Sequence, residues 1–168
     1  FEGSNIESIG ISATSIYRLE EYTFYNCKNL KYIRSDILSN LRLYSTDGTL
    51  RPVREYLSDV IIPRNIKIID ESAFEGCESI ERVSFYELLK TVGDNVFKNC
   101  TNLLSVGFAS YDNNALTLNA SMFKNCNKLE YISISESTAE KSDLTIGSQQ
   151  QLFNKNFIVD IKKDKFKF

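Results

Sequence analysis

Four cysteines are the most reactive side chains of this chain, and all four stand in the same local sequence. Each Cys comes three residues after a Phe and three before an aliphatic residue, and a second aliphatic residue follows three positions later. The copies are Phe24, Cys27, Leu30, Ile33; Phe74, Cys77, Ile80, Val83; Phe97, Cys100, Leu103, Val106; and Phe123, Cys126, Leu129, Ile132. Structural zinc sites use closely paired ligands such as Cys-x-x-Cys. Because the chain has no such pair and no His, the sequence predicts no metal site.

Two interpretations of the cysteines remain. Equivalent positions in stacked coils can form disulfides if their Cα atoms lie about 4.4 to 6.8 Å apart, and neighbouring units would then pair Cys77 with Cys100 or Cys100 with Cys126. Alternatively, Cys acts as a small apolar residue that is commonly buried, and a column of cysteines fills the space beside a column of Phe. The repeat produces such a column without any redox purpose. We therefore predict that all four, including Cys27, are buried free thiols and that no disulfide forms.

Catalytic chemistry has little support in the sequence. Without His there is no Ser/His or Cys/His pair to activate a nucleophile. The carboxylate pairs Glu20 with Glu21 and Asp70 with Glu71 each follow an inward-pointing residue and are interpreted as solvated turns. Lysines at 162, 163, 165 and 167 form a short charged run, which is usually solvated surface. We predict that the chain is not an enzyme and needs no cofactor.

Two N-glycosylation patterns occur, at Asn99-Cys100-Thr101 and Asn119-Ala120-Ser121. Asn99 precedes a Cys predicted to be buried, which favours a structural role at a turn. The sequence does not decide whether Asn99 or Asn119 carries a glycan.

The spacing of the Phe residues indicates stacked repeat units. Phe74 and Phe97 are 23 residues apart, and Phe97 and Phe123 are 26 apart, within the period range of solenoid repeats. Each unit ends in alternating apolar and polar residues, which predicts a short strand with one buried face. The segment with Phe and Cys must return the chain to the next parallel strand. It is too short for a long helix and predicts a single helical turn or a 3₁₀ piece.

Two further repeat positions have structural meaning. The residue before each Cys is Asn26, Gly76, Asn99 or Asn125, types that tolerate a left-handed backbone, so a turn with positive φ is predicted there. Five residues before each Phe stands Leu19, Ile69, Val92 or Leu118, which predicts a second short strand or turn on the outer side.

Some units are irregular. Phe1 lies 23 residues before Phe24, so the chain is expected to open inside a repeat. Fifty residues separate Phe24 from Phe74, enough for a hidden unit. In that unit Leu57 and Val60 precede Ile80 and Val83 by 23 residues, and Arg51 and Arg54 replace Phe and Cys. In the last unit Leu152, Lys155, Ile158 and Ile161 keep the spacing without Cys.

These irregular units complete the predicted organisation. We expect about seven segments of 23–29 residues in one domain, 1–168. It has a partial repeat over 1–15, central repeats over 16–143 with a degenerate unit near 43–63, and a C-terminal capping unit over 144–168.

The repeat resembles the BspA-like leucine-rich repeat family. The resemblance rests on the Ala-Phe-x-Gly-Cys-x-x-Ile sequence from Ala73 to Ile80 and on the strand before Pro63. It implies a right-handed leucine-rich-repeat solenoid, with a parallel sheet of short strands on the inner face and turns, 3₁₀ or one-turn helical pieces on the outer face. Arg51, Arg54 and Lys155 depart from the pattern. Members of the family often belong to large cell-surface or secreted proteins and act in adhesion, and the family has no common catalytic residues.

Composition agrees with a non-enzymatic module and excludes some partners. The net charge is −2, from 20 basic and 22 acidic residues, so no overall field attracts nucleic acid or an anionic membrane. No apolar run approaches the ~18 residues that span a bilayer, so no membrane insertion is expected in this segment. Because the chain opens inside a repeat, we expect an excerpt of a longer protein. A location at the cell surface or outside the cell follows from the resemblance alone.

The inner face and one loop edge are the candidate binding surfaces. Strand positions that alternate with buried ones form a row that includes Tyr32, Arg34, Arg82 and Tyr131. The residues that lengthen units fall after strands, in 35–50, 109–114 and 135–143, and Tyr111 and Asp112 lie there. Insertions are also simply tolerated in surface loops.

Two functions follow from these surfaces. The first is a module that binds a protein or glycan through the inner face and the loop edge. The alternative is a spacer with no binding surface of its own. The N-terminal strand edge, which lacks a neighbouring unit, also predicts weak self-association.

Overall fold

The computed structural model describes residues 1–11, 16–35, 42–44, 50–52, 60–85, 88–108, 115–144, 150–152 and 155–162; for 34–35, 42–44, 50–52, 150–152 and 155–162 it describes only the backbone. The strands in chain order are β1 (Ser8–Ile11), β2 (Arg18–Leu19), β3 (Tyr32–Ser35), β4 (Arg42–Tyr44), β5 (Leu50–Pro52), β6 (Val60–Ile61), β7 (Ile68–Ile69), β8 (Arg82–Phe85), β9 (Thr91–Val92), β10 (Ser105–Phe108), β11 (Tyr131–Ser135), β12 (Gln150–Leu152) and β13 (Lys155–Lys162). A 3₁₀ turn covers Ala120–Phe123, and helix α1 covers Glu136–Lys141.

The strand that ends each unit joins a parallel sheet, as the sequence predicts. One sheet has the order β12-β13-β11-β10-β8-β6, and β1 and β3 form a separate parallel pair. In the larger sheet Val83, Val106 and Ile132 share one rung and are buried. Their neighbours Arg82 and Tyr131 are exposed on the opposite face. This alternation is the period-two pattern of a sheet with one buried face.

The predicted Phe column is confirmed. Phe24, Phe74, Phe97 and Phe123 are each at most 1% exposed. Successive rings stack nearly parallel, with centroids 5.3, 5.8 and 6.0 Å apart. The aliphatic residues three positions after each Cys form a second buried column, at Leu30, Ile80, Leu103 and Leu129. Leu57, which precedes Ile80 by the repeat period of 23 residues, lies outside the described residues.

The segment with Phe and Cys is a tight turn in three units and a 3₁₀ turn in the fourth. The residue before Cys has positive φ at Asn26, Gly76, Asn99 and Asn125, as predicted. Sequence reasoning missed a second set of positive φ values two residues before Phe, at Tyr22, Ser72 and Asn95. The turns of neighbouring units also bond to each other, as when the Asn99 N–H donates to the Lys124 carbonyl at 2.8 Å.

The predicted outer strand exists in three units. Strands β2, β7 and β9 form a parallel sheet that holds Leu19, Ile69 and Val92. Leu118 is buried but lies in no strand, because side chains of the next segment satisfy the backbone there. Thr138 Oγ1 accepts the Leu116 N–H at 3.1 Å, and Ser142 Oγ accepts the Leu118 N–H at 2.9 Å.

The segment 135–143 was predicted as an insertion, and it contains helix α1. Ser135 is its N-cap, and the Ser135 side chain accepts the Thr138 N–H at 3.2 Å. Helix α1 therefore carries Thr138, whose hydroxyl bonds to Leu116 in the segment that corresponds to the outer strand of the other units. Segment 109–114 lies outside the described residues, and 35–50 contains strand β4 of the β4–β5 hairpin.

The prediction of a hidden unit between Phe24 and Phe74 is only half correct. Val60 pairs with Val83 in the sheet, as predicted. However, Phe24 stacks directly on Phe74, and the Phe24 N–H donates to the Ala73 carbonyl at 2.8 Å, so no Phe/Cys layer lies between them. Arg51 belongs to the antiparallel β4–β5 hairpin, and Arg54 lies outside the described residues. Arg51 and Arg54 stand at the Phe and Cys positions of the repeat, and a charged side chain is too costly to bury in an apolar layer.

The register predicted for the last unit is wrong by two residues. Ile132 pairs with Val159 rather than with Ile161, and Ile158 pairs with Tyr131 instead of continuing the column of Leu129. Leu152 lies in β12, which is antiparallel to β13 and does not form a Phe-type turn. In this unit Leu152 and Lys155 replace Phe and Cys, so the sequence lacks the pair that fixes the phase of the strand in the other units.

Candidate functional site

The four cysteines form a buried ladder of hydrogen bonds between units. Cys77 Sγ donates to the Phe24 carbonyl at 3.0 Å, and Cys100 Sγ donates to the Phe74 carbonyl at 3.1 Å. Cys126 Sγ reaches the carbonyl of Phe97 at 3.0 Å, and Cys27 Sγ reaches that of Phe1 at 2.9 Å. Each thiol thus satisfies a carbonyl of the preceding layer in the Phe column. Sequence reasoning treated Cys as a space filler and missed this role.

Burial makes these thiols poor nucleophiles. All four are free in the structure and at most 6% exposed. Desolvation raises the pKa of Cys77 and Cys100 well above that of an ordinary thiol, and it raises the pKa of Cys126 to about 12. A thiol must ionise to attack a substrate or bind a metal, so the ladder is suited to structure and not to catalysis.

Two of the four carboxylates singled out in the sequence, Asp70 and Glu71, are used in contacts between units. Arg18 donates two hydrogen bonds to the Asp70 carboxylate, from Nε at 2.5 Å and from Nη2 at 3.0 Å. This contact raises the pKa of Arg18 through hydrogen bonding and charge. Asn95 Nδ2 donates to Glu71 Oε1 at 3.2 Å. The solvated-turn interpretation is therefore wrong for Asp70, whose side chain is 17% exposed.

Glu75 is a buried carboxylate that the sequence analysis did not single out. It is 7% exposed, and it accepts from Ser72 Oγ at 2.8 Å and from Lys98 Nζ at 2.9 Å. The hydrogen bond from Lys98 raises the pKa of that ammonium. Tyr25, Glu75, Lys98 and Lys124 all follow a Phe directly, so only their position in the repeat could have indicated this contact.

The described part of the chain lacks two further features, a metal-binding cluster and a membrane-spanning helix. There, no three His, Cys, Asp or Glu side chains come together closely enough to hold a metal ion. None of the helices described is long and apolar enough to cross a bilayer.

The predicted binding row is only partly brought together. Strand pairing places Arg82, Ser105 and Tyr131 on one rung of neighbouring strands. Tyr32 lies on β3, with β6 between it and β8. The side chain of Arg34 and all of Tyr111 and Asp112 lie outside the described residues.

A polar cleft lies beside Tyr32. It has a volume of about 220 Å³ and is lined by Lys31, Tyr32, Ser79, Glu81 and Asn102. The sequence row contained Tyr32 but not the other four, because they lie in the connectors between the Cys turn and the strand. Their positions gave one signal: Ser79 and Asn102 both come two residues after a Cys, and Lys31 and Glu81 both directly precede a strand.

The N-terminal end of the stack carries exposed apolar side chains. Phe1 stacks on Phe24 with centroids 5.6 Å apart, yet it is 61% exposed. Ile16, Tyr17 and Tyr22 are exposed nearby in sequence. At the other end of the ring column Phe123 is 1% exposed, so the two ends differ sharply.

Comparison with known proteins agrees with the repeat. The chain matches the BspA type leucine rich repeat region in six copies, over residues 1–45 and 54–163. No curated protein matches it. Among solved structures it is similar to a leucine rich cell surface protein from Faecalibacterium prausnitzii A2-165, with 22% identity and a TM-score of 0.39 over 99% of this chain. The match covers 50% of that protein, so the chain spans about half the length of its solved neighbour.

Proposed function

The chain belongs to the BspA-type leucine-rich repeat family, and on that premise we propose that it is a non-catalytic module that binds a protein or glycan. The observation that carries the proposal is that Arg82 and Tyr131 are exposed on one rung, with the half-buried Ser105 between them, while Val83, Val106 and Ile132 are buried on the opposite face. Tyr and Arg are the residue types that most often dominate interface energy. The stacked rings of Phe74, Phe97 and Phe123 belong to the same three units.

Absence of catalysis is part of the same proposal. The thiols of Cys77, Cys100 and Cys126 have raised pKa values, and Asp70 and Glu75 are held in contacts between units. The proposed location, at the cell surface or outside the cell in a larger protein, rests on the family alone.

The experiment is a screen followed by a pair of matched variants. The chain is tested against immobilised extracellular-matrix proteins and a glycan array, and the ligand found is titrated against Arg82→Ala/Tyr131→Ala. We expect roughly a 30-fold or greater loss of affinity, the effect of truncating a true hot spot. The control is Leu88→Ala/Lys90→Ala, which removes an exposed apolar side chain and a cation away from that row. If both double variants keep full affinity, the row is not the recognition surface, and if neither screen finds a ligand, the spacer function is favoured.

The exposed N-terminal end supports weak self-association as a further part of the proposal. Phe1 presents an open ring face, and β1 is an edge strand that offers unpaired backbone groups. Sedimentation should show concentration-dependent association that Phe1→Ser weakens. A strict monomer at high concentration, together with strong hydrogen-exchange protection over residues 1–10, contradicts this expectation.

A further inference from the structure

At the boundary between the units of Phe24 and Phe74, the turn side and the sheet side of the stack advance by different distances. On the turn side, the unit of Phe24 lies directly on the unit of Phe74, with ring centroids 5.3 Å apart. On the sheet side, β6 lies between β3 and β8, and the sheet is divided between β3 and β6. Two strand spacings amount to roughly 10 Å, about twice the ring separation. The two units must therefore splay apart toward the sheet.

The polar cleft lies at this splayed boundary. Lys31 and Tyr32 come from the unit of Phe24, Ser79 and Glu81 from the unit of Phe74, and Asn102 from the next one. It is a local consequence of the inserted strand, and a uniform stack would bring the walls together.

Contacts between units hold the walls of the cleft in place. Lys28 Nζ contacts Glu78 Oε1 at 2.9 Å and ties the two splayed units together. Asn102 Nδ2 donates to the Glu78 carbonyl at 2.7 Å, while Asn102 Oδ1 accepts from Lys128 Nζ at 2.6 Å. The amide of Asn102 is thus oriented from both ends before any ligand arrives, which lowers the ordering cost of binding.

We infer that this cleft binds one sugar ring of a glycan, an inference that rests on the proposed binding function and narrows its ligand class. The volume of about 220 Å³ is below the ~300–1,000 Å³ of sites for drug-sized molecules, which suits a single ring. Sugar hydroxyls both donate and accept, so they can pair with the ammonium, carboxylate, amide and hydroxyl groups of the lining. Tyr32 adds an aromatic body beside these polar groups, and it suits the apolar C–H face of the ring.

The same lining disfavours other ligands. An apolar peptide side chain would remove water from the Lys31 ammonium and the Glu81 carboxylate and would offer no hydrogen bond in return. An anion would be attracted by Lys31 but repelled by Glu81, and a cation would meet the reverse. A small, neutral, polyhydroxylated group avoids both costs.

The test uses NMR titration of the ¹⁵N-labelled chain with the methyl glycosides of glucose, galactose, mannose and N-acetylglucosamine. At least one glycoside should shift the Asn102 side-chain amide and the Lys31 and Tyr32 backbone signals, with a dissociation constant on the order of 1–10 mM. Tyr32→Ala should weaken this binding roughly tenfold or more, as expected when an aromatic contact is removed from a small site. Glu81→Gln, which keeps the shape of the side chain, should weaken it by a smaller factor.

The matched control is Tyr17→Ala. Tyr17 is an exposed Tyr that lies outside both the cleft and the row of Arg82 and Tyr131, so this variant should bind the glycoside as the wild type does. The inference is overturned if no glycoside shifts these signals, or if Tyr32→Ala and Tyr17→Ala affect the shifts equally. Failure of this inference is distinguishable from failure of the proposed function. A protein ligand whose affinity depends on Arg82 and Tyr131, but which leaves the cleft signals unchanged, would support the proposed function and contradict only the sugar site.

Discussion

The regular stack from Phe74 to Phe123 and the boundary between the units of Phe24 and Phe74 use the same turn but differ in what lies behind it. In the regular stack each turn carries one strand, so rings and strands advance together. At the boundary the rings advance by one layer, while the additional strand β6 lies on the sheet side. The regular stack therefore forms a continuous buried ring column, and its interruption leaves a concave site.

The largest expected effect is loss of a ring inside the regular stack. Phe97→Ala should lower the free energy of unfolding by about 3–5 kcal/mol, because rings on both sides cannot collapse into the cavity. Phe1→Ala should cost less than about 1 kcal/mol, since a side chain that is 61% exposed gives up little burial. Urea denaturation of both variants measures the contrast. Equal costs at the two positions would show that the column is not the main source of stability.

Because of the buried thiols, the free energy of unfolding should fall at alkaline pH. Cys126 has a pKa of about 12 in the folded chain against an ordinary value of 9.0. Its contribution is therefore fully present below pH 9.0 and is lost as the pH rises toward 12, because only the unfolded chain releases the proton in that window. The loss amounts to about 1.4 kcal/mol per pH unit for each such thiol.

The measurement is urea denaturation at several pH values, with Cys126→Ala as the matched variant. This variant should show a shallower decline of stability with pH than the wild type. Identical slopes would contradict the assignment. Thiol titration gives an independent check, since the denatured protein should show four reactive thiols without reductant and the folded protein few.

Sequence analysis predicted the parts of the fold that repeat. Large apolar residues at a fixed period identify Phe97 and Leu103 as core, and Asn99 before Cys100 identifies a left-handed turn. Ser72 also has positive φ, but its residue type gives little signal of it. In addition, the register predicted for β13 was wrong because Leu152 and Lys155 replace the Phe and Cys that fix the phase in the other units.

The candidate site was harder to predict than the core. The row of Arg82 and Tyr131 follows from strand alternation alone. By contrast, the cleft depends on how two units tilt around an inserted strand, and no local pattern contains that information. Lys31 and Glu81 are 50 residues apart in the sequence, and only the direct stacking of Phe24 on Phe74 brings their units together.

A smaller effect is expected at Gly76, on the turn side of the boundary. Gly76 has φ of +75°, and an added Cβ would lie 2.1 Å from Asn26 Oδ1. Gly76→Ala should cost about 1–2 kcal/mol from the left-handed backbone, plus the cost of displacing Asn26. In an Asn26→Gly background the same change should cost only the backbone part. The double-mutant cycle measures the difference, and a coupling of zero would show that the two turns are not in contact.

The smallest expected effect concerns the Lys28–Glu78 ion pair, which joins the two units at the boundary. Both residues directly follow a Cys, and the equivalent residues of the regular stack are the uncharged Thr101 and Asn127. The two side chains are 63% and 44% exposed, so Lys28→Met should cost less than about 1 kcal/mol. Salt distinguishes this electrostatic cost from a packing cost, since at about 1 M the screening length is about 3 Å and the difference from wild type should vanish. A cost that persists in high salt would mean that the Lys28 stem packs against the boundary, and that apolar contact joins the splayed units there.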